Sequence, residues 1–163
     1  MVVFLDTYAM IELSKGNENY KEFIGVASMT TRFNLVELYF YFLKNSNENI
    51  ADEIYSKFKS YEIPVTDKII KEAMKFKINH IKRRFSFADC IGYISSLNEN
   101  AKFLTGDSQF KDMPNVVYVR WEILKLILEK LLSTTIKIKI TSFEVITPCL
   151  LPKRNTFADK NPF

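Results

Sequence analysis

Residues that staple or rigidify small proteins are scarce in this chain. Of 163 residues, two are cysteine (Cys90 and Cys149) and one is histidine, His80. Two distant thiols make no disulfide framework, and one histidine leaves no zinc-ligand spacing, so a reducing compartment is expected. Glycines number four and prolines five, and the chain has no internal repeat and no low-complexity segment. Long apolar runs are also missing. The opening MVVFLD has no basic segment and meets an acid at position 6, unlike a secretory signal. The longest late apolar stretch, ILKLILEKLL, is broken by Lys125 and Glu129 and is too short to span a bilayer. A cytoplasmic protein with no membrane contact is expected.

What is present is bulk and a local positive field. Fourteen Phe and eight Tyr stand against one Trp, and hydrophobic residues make up 47% of the chain, enough to fill one domain core. The net charge of +4 permits a polyanionic partner without demanding one. Lys68, Lys71, Lys75, Lys77, Lys82, Arg83 and Arg84 crowd one stretch.

Hydrophobic patterning predicts alternating strands and helices. Short apolar strands are expected at residues 2–5, 28–31, 63–66, 102–105 and 116–119. Helices are expected at residues 7–15, 20–26, 34–44, 48–61, 67–83 and 86–100, with a helical turn at 108–113. In the 67–83 helix, Ile70, Met74 and Ile81 are expected to face inward. The alternation implies a mainly parallel sheet covered on both faces, an α/β/α sandwich whose site lies beyond the carboxyl ends of the strands. A domain is expected over residues 1–130. Beyond it, a helix at 122–132, an edge-like strand at 135–140 (TIKIKI) and a proline-bearing remainder leave residues 131–163 as an extension of unassigned role.

Four acids stand at helix starts: Asp6, Glu37, Asp89 and Asp107. Each has a local explanation. Asp6 and Asp107 suit N-caps, and Asn34/Glu37 and Ser86/Asp89 have capping-box spacing. As a set they carry more. A parallel sheet brings strand ends to one edge, and the flanking VVFL, LYFYFL, FSFA and KFLT are apolar. Carboxylates gathered in such surroundings raise each other's pKa values, a penalty that a divalent cation removes. Hard oxygen donors without a His or Cys cluster point to Mg²⁺, or Mn²⁺, as cofactor.

In VVFLDTYAMIEL, NLVELYFYFL, SFADCIGYISS and FLTGDSQFKDMPNVVYV, in this order, the chain resembles the PIN-domain family, and within it the compact VapC-type toxins. The resemblance spans roughly residues 1–120. It implies a PIN-like α/β/α sandwich in which Asp6, Glu37, Asp89 and Asp107 surround one or two cations, with Thr7 and Thr105 close behind. It further implies an Mg²⁺-dependent endoribonuclease, the toxin of a toxin–antitoxin pair, with RNA as substrate, an antitoxin protein as partner and a homodimeric state. An RNA-processing or RNA-decay nuclease without an antitoxin, and a non-catalytic RNA-binding module, remain alternatives. An aspartyl-nucleophile phosphatase would want a second Asp where Tyr8 stands, and a response-regulator receiver would want paired acids beside Asp6. His80 is expected on a solvated helix face. Lys82, Arg83 and Arg84 are either a wet helix end or contacts to RNA phosphate. Residues 35–43, apolar nearly all round their helix, suit either a core or a shared interface.

Overall fold

A computed structural model describes residues 1–119. The helix expected at 122–132, the strand at 135–140, the extension 131–163 and the boundary expected near residue 130 lie outside the described residues. Five strands, β1 (Val3–Leu5), β2 (Ser28–Thr31), β3 (Glu62–Ile63), β4 (Lys102–Thr105) and β5 (Val116–Tyr118), form one sheet in the order β3-β2-β1-β4-β5. Every neighbouring pair is parallel, with Val3 level with Ser28 on one side and Lys102 on the other.

Five α-helices make the connections: α1 (Thr7–Ser14), α2 (Arg32–Asn45), α3 (Glu48–Lys59), α4 (Asp67–Asn79) and α5 (Phe87–Asn98). The chain steps from β1 to β2 to β3 in one direction, then crosses back to β4. Right-handed crossovers therefore send α1, α2 and α3 to one face of the sheet and α4 and α5 to the other. Alternation along the strands feeds both layers. Val3, Leu5 and Leu104 pack with Met10, Leu35, Leu38 and Phe58, whereas Phe4 and Phe103 pack with Ile69, Ile91, Tyr93 and Phe110. The second layer is largely aromatic. Phe103 and Phe110 lie 4.8 Å apart by ring centroid, Phe85 and Phe110 stack at 4.3 Å, and Tyr93 donates a 2.8 Å hydrogen bond to the Pro114 carbonyl. The result is the expected three-layer α/β/α sandwich.

Four local expectations need correction. The segment expected as a helix over 20–26 is a 3₁₀ piece, Glu18–Phe23, capped by the Asn17 side chain. Helix α2 starts at Arg32, two residues early, so Asn34 and Glu37 do not form a capping box; Thr31 is the N-cap and makes no side-chain cap. Helix α4 ends at Asn79, not Arg83. Its buried residues are Ile69 and Ala73, while Ile81 is 67% exposed in a separate 3₁₀ turn, Ile81–Arg83. The backbone leaves the helical region at His80 (φ −117°, ψ 31°), and beyond it the Arg83 guanidinium donates to the Gln109 carbonyl and to Asp112 through two 2.7 Å bonds. His80, expected on a solvated face, is half-buried: its Nδ1 lies 3.0 Å from the Phe76 carbonyl and its ring packs on Phe76 at 4.3 Å.

Candidate active site

In a parallel sheet with this strand order, the connections leave β1 and β4 on opposite faces, which opens a crevice beyond their carboxyl ends. Asp6 follows β1 and Asp107 follows Gly106 at the end of β4. The crevice between them is a cavity of about 390 Å³ lined by Asp6, Thr7, Tyr8, Ile11, Asp89, Gly106, Asp107 and Ser108. The glycine is needed there: a Cβ on Gly106 would overlap the Tyr8 ring and lie 2.7 Å from the Tyr20 hydroxyl.

Asp6 is the deepest acid, 2% exposed. One carboxylate oxygen accepts the Thr7 N–H at 2.7 Å and the Asn34 amide at 3.4 Å. The other accepts the Thr105 hydroxyl at 2.7 Å, and that hydroxyl in turn accepts the Asp107 N–H at 3.0 Å. Thr105 thus ties the ends of β1 and β4 together through one buried oxygen. Burial, with the negative charges of Asp89 and Glu37 added, pushes the Asp6 carboxyl up to about 7, against the lowering effect of its Thr105 and Thr7 donors.

Glu37, on the second turn of α2, accepts the Thr7 hydroxyl at 3.0 Å. Burial raises its pKa, Asp89 adds to the rise, and the hydroxyls of Ser86 and Thr7 oppose it. Asp89 closes a genuine capping box at the start of α5: the Ser86 N–H donates to its carboxylate at 2.6 Å, and its own N–H donates to the Ser86 hydroxyl at 3.0 Å. Burial again lifts its pKa, with Asp107 adding and Ser86 and Lys77 subtracting. Asp107 caps the following 3₁₀ turn, Ser108–Phe110, accepting the Gln109 N–H at 2.9 Å and its side-chain amide at 3.1 Å.

The four acids therefore influence one another electrostatically, and three of them line the same cavity. Capping and clustering coexist. A carboxylate held by backbone N–H groups loses rotamer freedom, which holds its remaining lone pairs in place for a ligand. Thr105 bonds Asp6 through its hydroxyl, and Thr7 bonds Asp6 through its N–H and Glu37 through its hydroxyl.

The donor set suits a hard divalent cation in its chemistry: carboxylates and hydroxyls, no sulfur and no imidazole. It is not a ready-made cage. Among the described residues, no three acidic, His or Cys side chains are drawn together as a coordination shell. Mg²⁺ keeps most of its waters and takes one or two carboxylates directly, so a spread set of acids is compatible with it.

Asn34 has the spacing of a cap but lies inside α2 and serves the site instead. It is fully buried, accepts the Thr31 hydroxyl at 2.7 Å and directs its amide at Asp6 and the Thr7 hydroxyl. Its spacing of three from Glu37 puts both on one face of α2, the signal available in the sequence. Gly92 on α5 makes room for it, since a Cβ there would lie 2.9 Å from the Asn34 Oδ1 and from the Phe4 ring.

The three basic residues separate. Arg83 is bound to Asp112 and Gln109, while Lys82 and Arg84 are exposed.

The all-parallel α/β/α sandwich matches the fold of solved VapC toxins, the PIN-like sandwich. No protein-family model and no curated protein matches the sequence, so the likeness rests on solved structures. A sarcin-ricin-loop-cleaving toxin, VapC20 of Mycobacterium tuberculosis, superposes with a TM-score of 0.60 at 18% identity, over 74% of this chain and 99% of that one. The VapBC2 structure of Rickettsia felis, bound to a DNA fragment from its promoter, gives 0.59 at 17% over 74% and 99%. A toxin–antitoxin complex of Klebsiella pneumoniae gives 0.55 at 17% over 71% and 95%. At these identities the likeness establishes the fold.

Proposed function

We propose that the chain is an Mg²⁺-dependent endoribonuclease, hydrolysing RNA phosphodiester bonds as the toxin of a toxin–antitoxin pair. The observation that carries this reading is the crowding at the β1/β4 crossover, where Asp6, Asp89 and Asp107 line one cavity and Thr7 bonds both Asp6 and Glu37. Such crowding has a cost that folding alone does not require, and functional sites are where it is tolerated. Asp6, Asp89, Asp107 and Glu37 are the residues to hold the cation. When bound, the cation supplies Lewis acidity, acidifying water and offsetting charge on the phosphate. Thr105 and Asn34 orient the Asp6 carboxylate, and Thr7 orients Glu37. None of the four acids is needed as a nucleophile.

Likeness to VapC and VapBC structures supports both the nuclease chemistry and an antitoxin partner. A homodimer fits the outer face of α2, where Phe33, Val36, Phe40 and Leu43 are exposed while Leu35, Leu38 and Phe42 are buried in the core. Among the described residues no helix is long and apolar enough to cross a membrane.

The test is cleavage of structured RNA by the full chain with Mg²⁺ or with EDTA, beside an Asp6→Asn variant. Cleavage confined to the wild-type protein with Mg²⁺ supports the reading. Cleavage that persists in EDTA overturns the metal assignment, and binding without any cleavage moves the protein to the non-catalytic class.

A further inference from the structure

Beside the acidic crevice, the turn from α4 to α5 presents an aromatic ring to solvent. Phe87 is the first residue of α5, directly after the Ser86 cap and two residues before Asp89, and it is 61% exposed. Core demand does not explain it, because its neighbours Phe85 and Ala88 are buried. The ring is also not left as an isolated apolar spot. The Lys77 ammonium sits over it, 4.9 Å from the centroid, and the same ammonium donates to the Phe85 carbonyl. That bond fixes the lysine across the α4–α5 turn. Ser86, the residue directly before Phe87, exchanges two hydrogen bonds with Asp89, which places this turn next to the carboxylates.

A π surface with a cation beside it, at the rim of a site for a phosphodiester, matches the two parts of one nucleotide. The base stacks on the ring, and the ammonium faces the phosphate. We propose that Phe87 is the stacking platform for an unpaired RNA base next to the scissile phosphate, with Lys77 holding the ring and the backbone charge. The assignment rests on the ribonuclease reading and deepens it, because it places substrate selection on an unstacked base. An apolar protein partner would use the same ring differently. It would need bulk but no π face, and it would gain nothing from the ammonium.

The experiment compares the full-length protein with Phe87→Ala, Phe87→Leu and Phe87→Trp. A first measurement, in EDTA, follows binding of single-stranded RNA octamers carrying 2-aminopurine at successive positions, read by fluorescence. One position should respond in the wild type and in Phe87→Trp, and respond little in Phe87→Ala and Phe87→Leu. A second measurement, with Mg²⁺, follows cleavage. Phe87→Ala should raise KM roughly 5- to 150-fold, the range for losing one base–aromatic stack, with kcat within about twofold. Phe87 is solvent-exposed, so circular dichroism should show the Ala variant folded. If no position depends on Phe87, or if Leu performs as well as Phe, the assignment is wrong. Fluorescence that depends on Phe87 in a protein that cuts no RNA would retain the subsite and overturn the nuclease reading instead.

Discussion

Replacing Asp6 by Asn should stabilise the metal-free protein at high pH and not at low pH. Asp6 is buried, and its pKa rises from 3.8 to about 7 on folding. Between those values the folded state holds a proton that the unfolded chain releases. Stability from this group is therefore fully present below about pH 4, falls as the pH climbs towards 7, and is flat above. The rise converts to roughly 4 kcal/mol at about 1.4 kcal/mol per tenfold. Asn is neutral throughout and escapes that penalty. It also gives up part of the gain, because one acceptor oxygen becomes an amide that cannot accept the Thr105 hydroxyl, a charge-assisted bond of about 1.5–3 kcal/mol. A net gain of about 1–3 kcal/mol remains at pH 8. For a chain of this size that is a rise in Tm of about 2–10 °C. Thermal unfolding in EDTA at pH 8 and pH 4.5 reads it directly, with the gain vanishing or reversing at the lower pH. Added Mg²⁺ should raise the wild-type Tm at pH 8 and move the variant far less. Equal loss of stability at both pH values would refute the reasoning, since it would mean that Asp6 serves folding through its hydrogen bonds alone.

Four further outcomes follow from the same geometry. Thr105→Val removes the hydroxyl that joins Asp6 to the Asp107 N–H; it should cost about 1–3 kcal/mol in denaturant unfolding and push the pH dependence of Asp6 further upward. Gly92→Ala drives a methyl into Asn34 and Phe4, so stability should fall by about 1–3 kcal/mol and RNA cleavage by more than stability alone explains, as measured at a temperature where the variant is fully folded. Phe110→Ala empties the centre of the aromatic layer and should cost about 3–5 kcal/mol in urea unfolding with unchanged m-value. Arg83→Gln breaks the surface pair with Asp112; a stability change under about 1 kcal/mol with unaltered RNA affinity is expected, because the guanidinium is already engaged.

The layered order of strands and helices was legible from periodicity, because a sheet buried on both faces demands short apolar runs and its connections demand amphipathic ones. Strands β1, β2, β4 and β5 fall within a residue of expectation for that reason. Helix ends were less legible where no glycine or proline marks them. Helix α4 stops at Asn79, and the turn after it is tied through Arg83 to Asp112, 29 residues away in sequence, a contact that no local pattern encodes. The start of α2 was misplaced because Asn34 looks like a cap; its amide is instead directed to Asp6, 28 residues earlier.

The four acids divide along the same line. Their identities and their placement just past strands or at helix starts are properties of the sequence, since capping chemistry and the strand-to-helix switch are local. That Asp89, far from any strand end, meets Asp6 was decided only by the tertiary structure. The reversal of winding between β3 and β4 sends α5 across the opposite face and points its first turn at the β1/β4 crevice. Thr105 shows the same division at atomic scale: a strand-end threonine by sequence, it becomes the buried oxygen joining Asp6 to the Asp107 backbone only when β1 and β4 pair. Carboxyl pKa values depend on burial and on charges a few ångströms away, and neither distance exists until the chain has folded.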